Sequence, residues 1–140
     1  MRQAQTSIEV TTRGPGLTDI TGPVVRWTAA QGIATGLLTV FIRHTSASLL
    51  IQENADPTVR ADIEAFLRRV VPRGPGLYAH DTEGPDDMPA HLRALLGATS
   101  LTVPVGGGRP LLGTWQAIYV HEHRDAPHRR EVVLHCLGMA

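Results

Sequence analysis

Lysine is absent from this chain of 140 residues: all 13 basic residues are arginine. That excludes Schiff-base chemistry, a lysine general base and a P-loop lysine. Cysteine occurs once, so no internal disulfide can form; Cys136 lies in an apolar run and reads as a buried structural thiol. No apolar run reaches the roughly 18 residues that a membrane helix needs. The longest, around Gly36 to Ile42, is strand-sized. The opening residues, Met1-Arg2-Gln3-Ala4-Gln5, carry no apolar signal-peptide core, and the expectation is a cytoplasmic protein with no membrane partner. Excess charge is missing too. Thirteen acidic residues balance the arginines, and a net charge of zero argues against a nucleic-acid surface, which needs a large positive field.

What remains is a globular composition, 42% hydrophobic and 19% charged, at a length that suits one domain over residues 1–140. Thr6 to Thr12 alternates and is rich in β-branched residues, as a first strand would be. A helix is expected from about Asp19 to Gln31, with Thr18 as its cap, although Gly22-Pro23 points to a start nearer Pro23. Leu37 to Ile42 is a strand whose near-continuous hydrophobicity predicts cover on both faces. Ala47 to Gln52 is the next strand, joined to it by a hairpin or a bend at His44-Thr45-Ser46. Asp56-Pro57 is a strong helix start, Asp as cap and Pro in the first turn, and the amphipathic pattern runs to Val70. A long Pro/Gly loop follows. Then come a short helix over Pro89 to Leu96 with Asp87 upstream as cap, and strands at Ser100 to Val105, Leu111 to Glu122 and Glu131 to Leu137. Strands in consecutive runs, without a helix between each pair, predict an α+β fold. Its strands are mainly antiparallel in packed sheets, with about three helices in a single compact domain.

The chemistry-bearing residues cluster between Arg43 and His91, mostly at element ends, where side chains can converge on one cleft. Three of the seven histidines, His44, His80 and His91, come from separate segments. Three imidazoles with one open position are the usual form of a catalytic zinc site, but this spacing carries no diagnostic motif, and ordinary hydrogen-bonded histidines fit it as well. Asp56 has a sufficient role as a helix cap. Glu53 has none and is a candidate general base or partner of a metal-bound histidine; Asp87 caps its helix or joins the site. Thr45 and Ser46 hydroxyls suit a turn or a phosphate. His121 and His123 share one side of a strand, more in keeping with a solvated face than a metal pair. Gly113-Thr114-Trp115-Gln116, placed inside a strand, offers a ring to stack on and an amide to bond with. Trp115 fits a core or subunit interface equally well.

Five blocks carry a resemblance. They are His44-Thr45-Ser46-Ala47-Ser48, Glu53 to Arg60, Tyr78-Ala79-His80-Asp81, Asp86 to His91, and Gly113-Thr114-Trp115-Gln116. In this order and spacing the chain resembles the YjbQ family, also called secondary thiamine-phosphate synthase. The resemblance implies a small α+β homotrimer with sites near subunit boundaries. It also implies a weak transferase activity joining a hydroxymethylpyrimidine diphosphate to a thiazole phosphate. His44, His80 and His91 fall on the family's histidine positions, which implies a divalent metal, zinc or magnesium. The expected roles follow. Glu53, Asp56 and Asp87 orient groups or move protons; Arg43, Thr45, Ser46, Asn54, Trp115 and Gln116 meet a small phosphorylated substrate. Metal-dependent phosphoester hydrolysis and a non-catalytic trimeric binding module are the rival readings of the same residues.

Overall fold

The computed structural model describes residues 1–140. Eleven elements follow one another: β1 (Arg2–Thr12), β2 (Gly16–Asp19), α1 (Thr21–Ala29), β3 (Thr35–Ile42), β4 (Ala47–Glu53), α2 (Pro57–Val70), α3 (Asp87–Leu96), β5 (Ser100–Gly106), β6 (Arg109–Pro110), β7 (Gln116–Glu122) and β8 (His128–Met139). They form two sheets, a larger one in the order β1-β8-β3-β5-β6 and a smaller one in the order β2-β7-β4, with every pairing antiparallel. The fold is thus α+β with three helices and mainly antiparallel strands. No helix is long and apolar enough to cross a membrane.

Period-two alternation sets the core. On the larger sheet Leu38, Val40, Ile42, Val132, Leu134 and Cys136 point inward; on the smaller sheet Ala47, Leu49, Ile118 and Val120 meet them. Burial at roughly 1.5–3 kcal/mol per large aliphatic side chain makes this layer the main source of stability. One ion pair sits in it. Glu122 is fully buried and takes the Arg130 guanidinium on both oxygens and the Thr12 hydroxyl on Oε1. Burial alone would raise the Glu122 carboxyl; the bonds from Arg130 and Thr12 outweigh it and hold the group below its ordinary range.

Several sequence expectations change. Thr18 caps no helix: it lies in β2 opposite Val120, and α1 begins at Thr21, whose N–H bonds Asp19 Oδ1 at 2.8 Å. β3 and β4 form neither a hairpin nor one bent strand, because the chain crosses from the larger sheet to the smaller at His44-Thr45-Ser46. β3 is covered on one face only. Leu37 and Phe41 remain 49% and 44% exposed, beside Leu137 and Met139 of β8. Gly113 to Trp115 precede β7 rather than lying inside it. His121 and His123 are buried, since α2 and α3 cover that side of the smaller sheet. Asp87 is the first residue of α3, with Asp86 in the cap position, and neither side chain bonds the helix N-terminus. Asp56 does cap α2, accepting from the Thr58 N–H at 2.9 Å, and Pro57 opens that helix. The glycines of Gly107-Gly108 both have positive φ, as the tight β5–β6 hairpin requires.

Candidate functional site

The long loop before α3 delivers the site. Gly84 adopts φ +102°, a conformation that glycine alone takes without strain, and turns the chain into Pro85-Asp86 and the first turn of α3. Asp87 and His91 then stand one helical turn apart on one face. His80 and Glu83 reach them from the loop. The four side chains bring one donor atom each to within 4.8 Å of one another.

The geometry centres on a single oxygen. His80 Nε2 lies 2.6 Å from Asp87 Oδ2, and His91 Nε2 lies 3.2 Å from the same atom. Glu83 Oε2 is 3.3 Å from His80 Nε2, and the two imidazole centroids are 5.6 Å apart. His91 Nδ1 donates to the Thr45 carbonyl at 3.0 Å, which leaves Nε2 of the neutral ring with a lone pair facing a carboxylate. A proton or a cation has to lie between them. Behind this group, Arg124 donates from Nη1 to Asp87 Oδ1 at 2.6 Å, from Nε to Asp86 Oδ2 at 2.8 Å, and from Nη2 to the Glu83 carbonyl at 3.0 Å. Asp86 Oδ2 also accepts the Asp125 N–H at 2.9 Å. Asp87 is 2% exposed, and burial pushes its carboxyl up. Hydrogen bonds with His80 and the charge of Arg124 outweigh that, so it stays ionised below the usual carboxylate range. The same bond from Asp87 raises His80 above its ordinary value, with burial opposing.

Two imidazoles and two carboxylates are a donor set for a divalent cation, and imidazole favours zinc over magnesium. The surroundings fit as well. The Thr45 carbonyl fixes the tautomer of His91 and Arg124 fixes Asp87, as outer partners of metal ligands do. The group borders a cleft of about 520 Å³ that runs along Arg73, Gly74, Tyr78, His80, Gly84 and Met88. Arg73 holds Asp125 there through two bonds.

The other expected residues lie elsewhere. His44 is outside the four-residue group. Its Nε2 accepts from the Glu131 N–H at 2.7 Å, and Nδ1 lies 3.4 Å from Arg130 Nη1. Burial and Arg130 lower its proton affinity. Ser46 Oγ accepts from Arg130 Nη2 at 3.0 Å, and Arg43 pairs with Glu131 at the surface. Glu53 caps the next turn, accepting from the Ala55 and Asp56 N–H groups at 3.1 and 3.0 Å. Asn54 Nδ2 donates to the Thr114 carbonyl at 3.4 Å, Gln116 Oε1 accepts from the Gly113 N–H at 2.8 Å, and Trp115 is 64% exposed. Glu53 pairs with Gln116 and Ala47 with Glu122, so these residues gather at the opposite end of β4 from Thr45. Six residues of strand separate the two ends by about 20 Å. Glu83 and Arg124 went unread in the sequence. The i, i+4 pair Asp87 and His91 is a signal for the helix face, and Glu83 sits four residues before it; nothing local marks Arg124.

The fold and this group define a two-sheet α+β protein with a histidine–carboxylate centre at the mouth of a helix. The chain belongs to the family described as UPF0047 protein YjbQ-like, whose profile matches residues 6–139. It is 47% identical over 137 residues to UPF0047 protein sll1880 of Synechocystis sp., covering 98% of this chain and 93% of that one. It is 50% identical over 98 residues to UPF0047 protein YjbQ of Escherichia coli O157:H7, covering 70% of each. Among solved structures, hypothetical protein APE1520 of Aeropyrum pernix K1 superposes with a TM-score of 0.83 at 35% identity, covering 99% of both chains. An uncharacterised conserved protein of the yjbq/upf0047 family from Clostridium acetobutylicum gives 0.83 at 35%, covering 96% of this chain and 99% of that one.

Proposed function

We propose that the protein is a metal-assisted transferase for phosphorylated heteroaromatic substrates, a thiamine-phosphate synthase-like cytoplasmic enzyme. The observation that carries this is the convergence of His80 and His91 on Asp87 Oδ2, with Glu83 beside them, at the edge of an open cleft. These four residues would hold a divalent cation. When bound, it neutralises phosphate charge as a Lewis acid. In the reaction, the thiazole nitrogen attacks the pyrimidine methylene carbon and a C–N bond forms. The C–O bond breaks, and its electron pair leaves on pyrophosphate. The rate depends on stabilising that leaving group. Arg73 is the cleft's one arginine, and Tyr78 its one aromatic side chain besides His80. Arg124 and the Thr45 carbonyl keep Asp87 and His91 in place.

The ring-binding residues, Trp115 and Gln116, stand about 20 Å along β4 from this group, so in this reading a neighbouring copy supplies them. A homotrimer fits the uncovered outer face of the larger sheet, where Leu37, Phe41, Leu137 and Met139 are exposed. Metal-dependent phosphoester hydrolysis is the second reading. It is favoured by the cleft itself, which holds arginine and a centre for a cation but only one phenol ring, and so suits a phosphate without needing a second copy.

The test is to incubate the purified, zinc-loaded protein with both thiamine precursors and to measure thiamine phosphate. Metal-dependent synthesis that drops about 10²–10³-fold in Asp87→Asn supports the transferase. Hydrolysis of a phosphoester without condensation selects the second reading. A wild-type protein that turns over neither, yet binds a phosphorylated metabolite, is a binding module and ends both.

A further inference from the structure

A second cavity, of about 600 Å³, lies between α2, α3 and the helix-facing side of the smaller sheet. Leu50, Val59, Ile63, Phe66, Leu67 and Leu96 make its walls. Two arginines in this protein are almost fully buried, and the contrast between them defines the site. Arg130, 3% exposed, is clasped by Glu122. Arg93, 4% exposed, lines the cavity and forms no ion pair. Its Nη2 donates to the Val71 carbonyl at 3.3 Å, and its Nε is buried without a partner. Another buried nitrogen without a partner is His123 Nδ1, on a ring whose charged form Arg93 opposes.

Two of the nearby carboxylates are committed elsewhere. Glu64 places Oε1 2.6 Å from His121 Nε2, and Asp125 is held by both Nη groups of Arg73. Asp62 stands exposed among the lining residues and pairs with nothing. Burial, then Arg73, depress the Arg93 guanidinium, with Arg68 adding to this and Glu64 and Asp125 offsetting it in part. A buried cation without its anion is a costly arrangement, and an anion in the cavity would remove that cost. A largely apolar cavity of this size with one buried, unpaired cation in its lining matches the usual form of a small-molecule site.

We propose that this cavity binds a small molecule with an aliphatic body and one carboxylate, the body between α2 and α3 and the carboxylate on Arg93. Arg93 lines the cavity yet is only 4% exposed, an arrangement that suits a slender ligand entering the cavity better than a flat protein surface. The site is independent of the histidine–carboxylate centre. His91 and Arg93 are two residues apart on α3, on opposite faces of that helix.

Calorimetric titration of the full chain with octanoate and with octan-1-ol tests this. The expected result is saturable binding of one octanoate per chain, at least about tenfold tighter than the alcohol, the margin for a charge-assisted bond. Arg93→Met should cost octanoate that margin and leave the alcohol unchanged. Phe66→Asp, at an exposed lip position, keeps the fold and should weaken octanoate by like-charge repulsion, so the test stands even if Arg93→Met does not fold. Equal affinities for acid and alcohol would overturn the proposal, as would no saturation at millimolar octanoate or binding indifferent to Phe66→Asp. So would a groove closed by a second copy, seen as dissociation of an oligomer by Phe66→Asp in a protein that takes up no octanoate.

Discussion

His80 and His91 aim the same atom, Nε2, at the same oxygen: Asp87 Oδ2 lies 2.6 Å from one ring and 3.2 Å from the other. Two rings and a carboxylate that share one point are stable only with a proton or a cation between them. The choice between the two depends on pH, and it sets the first prediction.

Asp87 raises His80 above its ordinary value of 6.5. A raised histidine contributes stability below the unfolded value, and that contribution disappears as pH rises through the higher folded value. Metal-free protein should therefore lose a little thermal stability as pH rises past 6.5. Zinc competes with the same proton, so its affinity should rise over the same window. Differential scanning fluorimetry from pH 5.5 to 8.5, with and without zinc, reads both slopes. Parallel slopes would mean that zinc does not use His80.

Arg124 spans Asp86, Asp87 and the Glu83 carbonyl. Replacing it leaves each ligand present but unsupported, a change that usually costs 10–100-fold in metal affinity. Arg124→Met should show that loss in competition with a chromophoric chelator. Arg124→Lys should not restore it, because one ammonium cannot make the forked contacts of a guanidinium.

How much of this was legible beforehand follows from the range of each signal. Asp56-Pro57 marks a helix start locally, and α2 begins there. The near-continuous apolar run in β3 gives a strand but not its cover: Leu37 and Phe41 are apolar yet exposed in the single chain. Thr18 carries a cap residue's side chain, but its pairing partner Val120 is about a hundred residues away, and long-range pairing overrides local propensity. In the same way Asp87 and His91 could be placed on one helix face from spacing, whereas Arg124 enters from beyond β7 and leaves no local trace. His44 has the residue type for a ligand, but the Glu131 N–H takes its Nε2.

Glu53 and Asp56 are carboxylates with complete structural duties. Asp56 accepts from Thr58 through both backbone and hydroxyl, and Glu53 accepts from Ala55 and Asp56. Asp56→Ala should lower the urea midpoint of unfolding with an unchanged slope, as the loss of an N-cap does, and leave zinc affinity within error. Asp56→Ser, which can still cap, should recover most of the midpoint. A variant that keeps its midpoint but loses turnover would instead give Asp56 a catalytic role.

His123 should make the protein less stable in acid. It is 1% exposed, its Nε2 meets Ser48 Oγ at 2.9 Å, and burial, then His121 and Arg93, lower it to about 3. In the unfolded chain it titrates near 6.5. Between those values the unfolded state binds a proton that the folded state refuses, so stability rises with pH across the interval. Seen from neutrality, the protein should lose stability steadily below pH 6.5, by an amount on the order of a few kcal/mol if the whole shift is expressed. His123→Gln keeps an amide to meet Ser48 and has no proton to take up. Urea titrations at pH 7 and pH 4.5 should show a smaller difference for this variant than for the wild type, even if its stability at pH 7 is lower. Equal differences would place the acid sensitivity elsewhere, with Glu122 and its Arg130 clasp the next group to replace.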